Sequence, residues 1–188
     1  MYDKIQQLNI MLNEYRYGII VNDIPISSDI DYLKYHSLSQ KEFERHKIGT
    51  CWDYVNYEAW YFQHVLNMTL TTYSLQNDTF SIYYIQHEII THNNERYFPS
   101  HTWLAFKINN IIYSFESSWK KYKGIKVYTS EHDMYEYYDS IQSQWYDDYL
   151  IKSYVILKYM PQSENLTITQ FTDNVLKTGI IYDYGKKS

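Results

Sequence analysis

The chain has 188 residues, of which 17 are basic, 22 acidic and 45% apolar, giving a net charge of −5. This is the composition of a globular chain long enough for a sizeable core, and it excludes the usual nucleic-acid footprint, where clustered Lys and Arg displace counterions from phosphates. No apolar run approaches the length of a membrane span, so no membrane partner is expected.

The helical period comes first: Ile5, Leu8, Met11, Leu12 and Tyr15 predict an amphipathic helix ending near Gly18. The apolar stretch 19–26, with Pro25 inside it, reads as an edge strand or a loop. Ser39 and Glu42 have capping-box spacing, which predicts a short helix stopping at Gly49. Val55, Ala59, Phe62, Val65 and Leu66 give one apolar face to a longer helix over 51–66, with Asp53 in its first turn. The period then shortens to two. Segments 69–75, 80–90, 102–108 and 111–115 read as strands, and Asn109-Asn110 suits a tight hairpin because Asn tolerates positive φ. Lys120-Lys121-Tyr122-Lys123 reads as a solvated turn and 124–128 as a short strand. A helix from Ser130 to about 146, a strand over 153–160, a helix over 169–177 and a strand or tail over 179–184 follow. The class expected is α+β. No repeat or linker divides the chain, so 1–188 is expected to be one domain with its core over about 39–160, an N-terminal helix and a C-terminal extension.

The chain has 24 Tyr but only 5 Gly and 3 Pro. Coding bias is one reading; a Tyr-rich groove for a peptide or sugar is the other, since Tyr joins a rigid apolar body to a polar tip. The single Cys precludes an intramolecular disulfide and suits a reducing compartment. The first 18 residues lack a basic start and a continuous apolar run, so a cytoplasmic location is expected.

Cys51 follows Gly49 and opens the third predicted helix, where unpaired N–H groups and the helix dipole favour a thiolate and can hold an oxyanion. A thiol nucleophile needs a base, and the base needs an orienting partner. If residue 108 faces 111 across the Asn109-Asn110 turn, His101 faces Ser118 and Glu116 lies one diagonal step away on the same face, within side-chain reach. The His87–His92 segment has one residue too many for a zinc-binding helix motif, and no metal or other cofactor is expected. His36 and His132 have no partner that spacing suggests, and Asp147-Asp148 reads as a solvated helix end.

Gly49-Thr50-Cys51-Trp52-Asp53 resembles the Gly-x-Cys-x-Asp start of the nucleophile helix in bacterial transglutaminase-like proteins, and Cys-Trp also occurs in papain-like proteases. The segment from His101 to Phe106 and the following Ser114-Phe115-Glu116 resemble that family's His strand and acidic strand, with the order Cys, His, acid kept. The resembling block covers roughly residues 48–119, and Phe115–Trp119 with Gly124-Ile125 resembles uncharacterised bacterial and phage members. The resemblance implies a Cys-bearing helix packed on an antiparallel sheet, with Cys51, His101 and Glu116 as a catalytic triad. Trp52 and Trp103 are the candidate oxyanion-side or site-lining residues. The implied reaction is acyl transfer or amide hydrolysis through a thioester on a protein, peptide or amide substrate. Two departures stand: Glu116 replaces the family's usual Asp, and Arg45 occupies the position of the papain-like oxyanion Gln, leaving the side-chain oxyanion donor unassigned. The alternative is a non-catalytic peptide- or protein-binding module on the same scaffold. An assembly protein whose aromatic residues form an oligomer interface is a third reading.

Overall fold

The computed structural model describes residues 1–186. Helix α1 (Tyr2–Asn13) is followed by β1 (Arg16–Tyr17), β2 (Ile19–Val21), β3 (Ile24–Ile26) and a 3-10 turn at Tyr32–Lys34. Next come α2 (Gln40–His46), β4 (Ile48–Gly49), α3 (Cys51–His64) and β5 (Thr69–Leu70). Strands β6 (Thr79–Ile90), β7 (Arg96–Tyr97), β8 (Ser100–Ile108), β9 (Ile111–Glu116) and β10 (Gly124–Tyr128) form the middle of the chain. Helix α4 (Glu131–Gln144), β11 (Leu150–Tyr159), α5 (Ile168–Thr178) and β12 (Ile180–Lys186) complete the described residues. The class is α+β. None of the described helices is long and apolar enough to cross a membrane.

The main sheet runs β10-β9-β8-β6-β11-β12 with antiparallel neighbours, and β5 and β7 pair with the two ends of β6. Side chains alternate across a strand, so each long strand feeds two cores. Phe80, Ile82, Tyr84, Leu104, Phe106 and Phe115 pack with residues of α1, α3 and α5 on one face. On the other, Tyr83, Ile85, Trp103 and Ala105 pack with Met134, Tyr138 and Ile141 of α4. A strand covered on both faces loses the apolar–polar alternation of a half-exposed one, which accounts for the unbroken buried run 80–85.

The turn between β8 and β9 has the geometry its sequence predicts. Asn109 and Asn110 adopt φ of 51° and 63°, and Ile108 pairs with Ile111, Leu104 with Phe115. The stretch 19–26 closes as a second hairpin through Asn22 and Asp23, both at positive φ, with Pro25 in its second strand. Helix α1 stops at Asn13, short of Gly18, and the freed Arg16-Tyr17 pairs parallel with Ile48-Gly49. A two-residue parallel bridge has no readable period, so the sequence carries no sign of it. Only Thr69 and Leu70 of the segment 69–75 form a strand. The Lys cluster divides: Lys120 and Lys121 are exposed in a turn, whereas Lys123 donates to the carbonyls of Leu12 and Tyr15 at 3.3 Å each, anchoring the end of α1.

The hairpin gives a direct test. A β-branched residue at positive φ places Cβ against backbone at a cost of roughly 1–2 kcal/mol. Asn110→Val is expected to lower the urea-unfolding free energy by about that amount, whereas an unchanged midpoint would show that the turn does not depend on Asn110 at φ 63°.

Candidate active site

The position of Cys51 follows from its two sequence neighbours at 49 and 53. Lys47 at φ 52° ends α2, and β4 leads straight into α3. A Cβ on Gly49 would lie 2.7 Å from Phe43 Cε2 and 2.8 Å from the Cβ of Asp53, so the close approach of α2 and α3 requires glycine. Asp53 Oδ2 accepts the Thr50 N–H at 2.8 Å and the Thr50 hydroxyl at 3.0 Å. Its Oδ1 accepts the Leu38 N–H at 2.8 Å and the Tyr35 hydroxyl at 3.0 Å. Burial pushes the Asp53 pKa up to about 6 while these donors pull it back, so the carboxylate is ionised at neutral pH. Cys51 is therefore the first residue of a helix whose start is clamped from two sides.

His101 lies near the start of β8 and Glu116 at the end of β9, and both project to the α4 face. His101 Nε2 lies 2.7 Å from Glu116 Oε2. Glu116 Oε1 accepts the Ser118 N–H at 2.8 Å, the Ser118 hydroxyl at 2.9 Å and the Trp119 N–H at 2.9 Å. Burial alone would raise the Glu116 pKa, but His101 and these donors outweigh it and leave the carboxyl below its ordinary range. An ionised Glu116 accepts from Nε2–H, which assigns Nδ1 as the basic nitrogen of His101. Trp119 stacks on the imidazole with ring centroids 3.5 Å apart.

Cys51 and His101 come from opposite faces of the sheet and both open onto one cavity of about 300 Å³ at its end. Trp52, Trp119, Tyr17 and Thr50 share the wall. Cys51 is only 6% exposed. Burial pushes its thiol up to about 12, and the charges of Glu116 and Asp53 act in the same direction; the nearby Thr102 N–H and Tyr17 hydroxyl act against it. The helix terminus was expected to favour a standing thiolate, but burial outweighs it and the resting group is a thiol.

Of the five residues singled out in the sequence, Cys51, Trp52 and His101 line this cavity, and Glu116 lies off its wall, paired with His101. Trp52 stacks on Phe171 of α5, with centroids 4.5 Å apart. Trp103 is a correction: it is absent from the cavity wall, stacked between Tyr83 and Tyr138 behind His101. Two positions away from His101 on β8, it shares that residue's face, and α4 covers it. Tyr17 and Trp119 were missed. Tyr17 arrives through the β1–β4 pairing, a contact without a local sequence signal; Trp119 ends the Glu116-Ser117-Ser118-Trp119 turn whose N–H groups converge on Glu116.

A second carboxyl, Glu58 of α3, is buried and accepts from the Ser117 hydroxyl. Burial pushes its pKa well above the usual range and the nearby Glu116 charge adds to the rise, which favours the neutral acid. His87 is buried against Asp139 at 2.6 Å, whereas His92 is exposed beside Tyr149. Among the described residues no group of three or more His, Cys, Asp or Glu side chains could hold a metal ion. In comparisons with known proteins, no family model, curated protein or solved structure matches this chain.

Asp53→Ala deletes the acceptor of two backbone N–H groups and the helix cap, and is expected to cost roughly 2–4 kcal/mol in urea unfolding; a loss below about 1 kcal/mol would mean that the clamp is not what fixes α3. Glu58 makes a prediction of opposite sign. Its folded pKa is raised, so its contribution is fully present below the unfolded carboxyl pKa and is lost as pH rises towards the folded pKa. Glu58→Gln keeps the neutral shape without titrating. The variant should therefore gain on the wild type as pH rises above the ordinary carboxyl range, by up to about 1.4 kcal/mol per pH unit. Parallel stability–pH curves would show that Glu58 is not held neutral.

Proposed function

We propose that the chain carries out thiol-dependent acyl transfer, or amide and peptide hydrolysis, through a thioester on a transglutaminase-like core. The observation that carries this reading is the His101–Glu116 pair. A buried carboxylate, its second oxygen held by three donors, orients an imidazole at the wall of a cavity that Cys51 also lines. Such an arrangement costs burial of a charge and leaves one ring nitrogen as a base.

In this mechanism Cys51 Sγ attacks the substrate carbonyl carbon as its proton passes to His101 Nδ1. Because burial disfavours a standing thiolate, proton transfer and attack run together. Glu116, at 2.7 Å, stabilises the imidazolium. The N–H groups of the first turn of α3 have no intrahelical acceptor and receive the oxyanion. The Tyr17 hydroxyl, from a residue on the same cavity wall, supplies the side-chain donor that sequence left unassigned. His101 then protonates the leaving amine, and water or a second amine takes the acyl group from the thioester.

One observation favours the second reading, a non-catalytic peptide- or protein-binding module: the Cys51 thiol is nearly buried and its pKa is pushed up to about 12. Iodoacetamide alkylation of Cys51 between pH 6 and 9 separates the two. With a thiol pKa of about 12, alkylation near pH 7 needs a proton acceptor. The expected result is a rate that falls about ten-fold or more in His101→Ala and by less in Glu116→Gln. Slow alkylation that rises with pH identically in wild type and His101→Ala would establish the binding module instead.

A further inference from the structure

The cavity that holds Cys51 and His101 is the middle of a longer depression. On one side lies a cavity of about 760 Å³, which shares Tyr32, Phe98, Pro99, Tyr146 and Ile168 with the central one. On the other lies one of about 400 Å³, sharing Tyr17, Tyr32, Trp119 and Trp145. The two outer cavities share only Tyr32 with each other, so they adjoin the central one along different parts of its wall. A site built for a chain terminus is closed at one end; this one continues in both directions.

The walls differ in chemistry along this line. Eight aromatic side chains stand out as exposed among the described residues, and five of them, Tyr32, Tyr97, Phe98, Trp145 and Tyr149, line the depression. Exposed apolar area gathered in this way marks a binding surface, whereas scattered single residues do not. Ile89, Tyr97, Phe98, Tyr149 and Ile168 make the largest cavity predominantly apolar, and Glu95 is its charged carboxylate. The cavity on the far side of the centre carries Lys120 and Lys121 beside Trp119 and Trp145.

We infer that the depression takes an internal segment of polypeptide, acidic on one side of the reacting carbonyl and bulky apolar or aromatic on the other. The inference rests on the thiol chemistry proposed above and names its substrate class. The acidic side chains lie against Lys120 and Lys121; the aromatic one fills the cavity between Ile89, Tyr97 and Tyr149. Glu95 adds repulsion, so an acidic residue is disfavoured at the aromatic end and the segment binds in one direction.

Binding to Cys51→Ala tests this without turnover. Short fluorescein-labelled peptides with a central Gln-Gly, Asp-Asp on one side and Trp-Leu on the other, made in both chain orders, are measured by fluorescence polarisation. One order is expected to bind, and replacing Asp-Asp by Lys-Lys or Trp-Leu by Ala-Ala should each weaken it about ten-fold. Paired Lys120→Glu and Lys121→Glu should reverse the charge preference, and Tyr149→Ala should reduce the preference for Trp-Leu over Ala-Ala. Equal binding of all the peptides, or of none, overturns the inference. If alkylation of Cys51 depends on His101 while the peptides are not distinguished, the thiol chemistry stands and the substrate class falls. Discrimination by the trough without His101 dependence leaves the surface as a peptide-binding site and removes the chemistry.

Discussion

Asp53 is the constraint on which the geometry of the site depends. One buried carboxylate accepts four hydrogen bonds, two from Thr50 and two from the Tyr35–Leu38 segment. The segment leading into α2 is thereby tied to the first turn of α3, and Cys51, two residues before Asp53, is held at its end of the sheet. Gly49 makes the tie possible, because a side chain there would collide with both Phe43 and Asp53. The strand before α3, β4, pairs with β1, which brings Tyr17 to the cavity wall that Cys51 also lines. A short motif around the cysteine therefore specifies more than a nucleophile: it fixes the helix start, the strand before it and a donor from a segment more than thirty residues upstream.

What the sequence revealed was local. Ser39 with Glu42 and the Asn109-Asn110 turn act over two to four residues, and each produced the element it indicated. The turn also fixed a long-range contact, since counting outwards from residues 108 and 111 set His101 beside Glu116. Parity within a strand is arithmetic once a two-residue hairpin is known. It is silent about what covers each face, which is why Trp103 could be assigned to the right face and still lie under α4 and not on the cavity wall. The β1–β4 bridge and the buried Lys158–Glu131 pair, 2.6 Å apart, depend on the packing of distant elements and left no periodic trace. Burial of the thiol was likewise illegible: helix position was visible in the sequence, and the aromatic side chains that close over the sulfur were not.

Three buried carboxyl groups surround the site, and their different states follow from their donors. Glu116 has three donors on one oxygen and the imidazole on the other, which outweighs burial. Asp53 has four donors and no cationic neighbour among the causes of its shift, and stands at about 6. Glu58 has the Ser117 hydroxyl on one oxygen while the other is buried without a partner among the described residues, and burial pushes its pKa well above the usual range. The rise matters to its neighbour: two anions here would repel, and a raised Glu58 pKa favours keeping the charge on the carboxylate that faces His101.

The same accounting constrains the chemistry. With Glu116 ionised, proton transfer from Cys51 to His101 converts a neutral thiol and imidazole into a thiolate and an imidazolium that faces a carboxylate at 2.7 Å. The positive charge is satisfied at once, whereas the negative one is generated on a buried sulfur. Without substrate that state is costly, and burial keeps the thiol protonated. A carbonyl carbon within reach changes the balance, because the developing charge moves from sulfur to an oxygen that the start of α3 and Tyr17 can meet with hydrogen bonds. A raised thiol pKa and an oriented imidazole are therefore compatible: together they confine the reactive form of Cys51 to the moment when an acyl group occupies the trough.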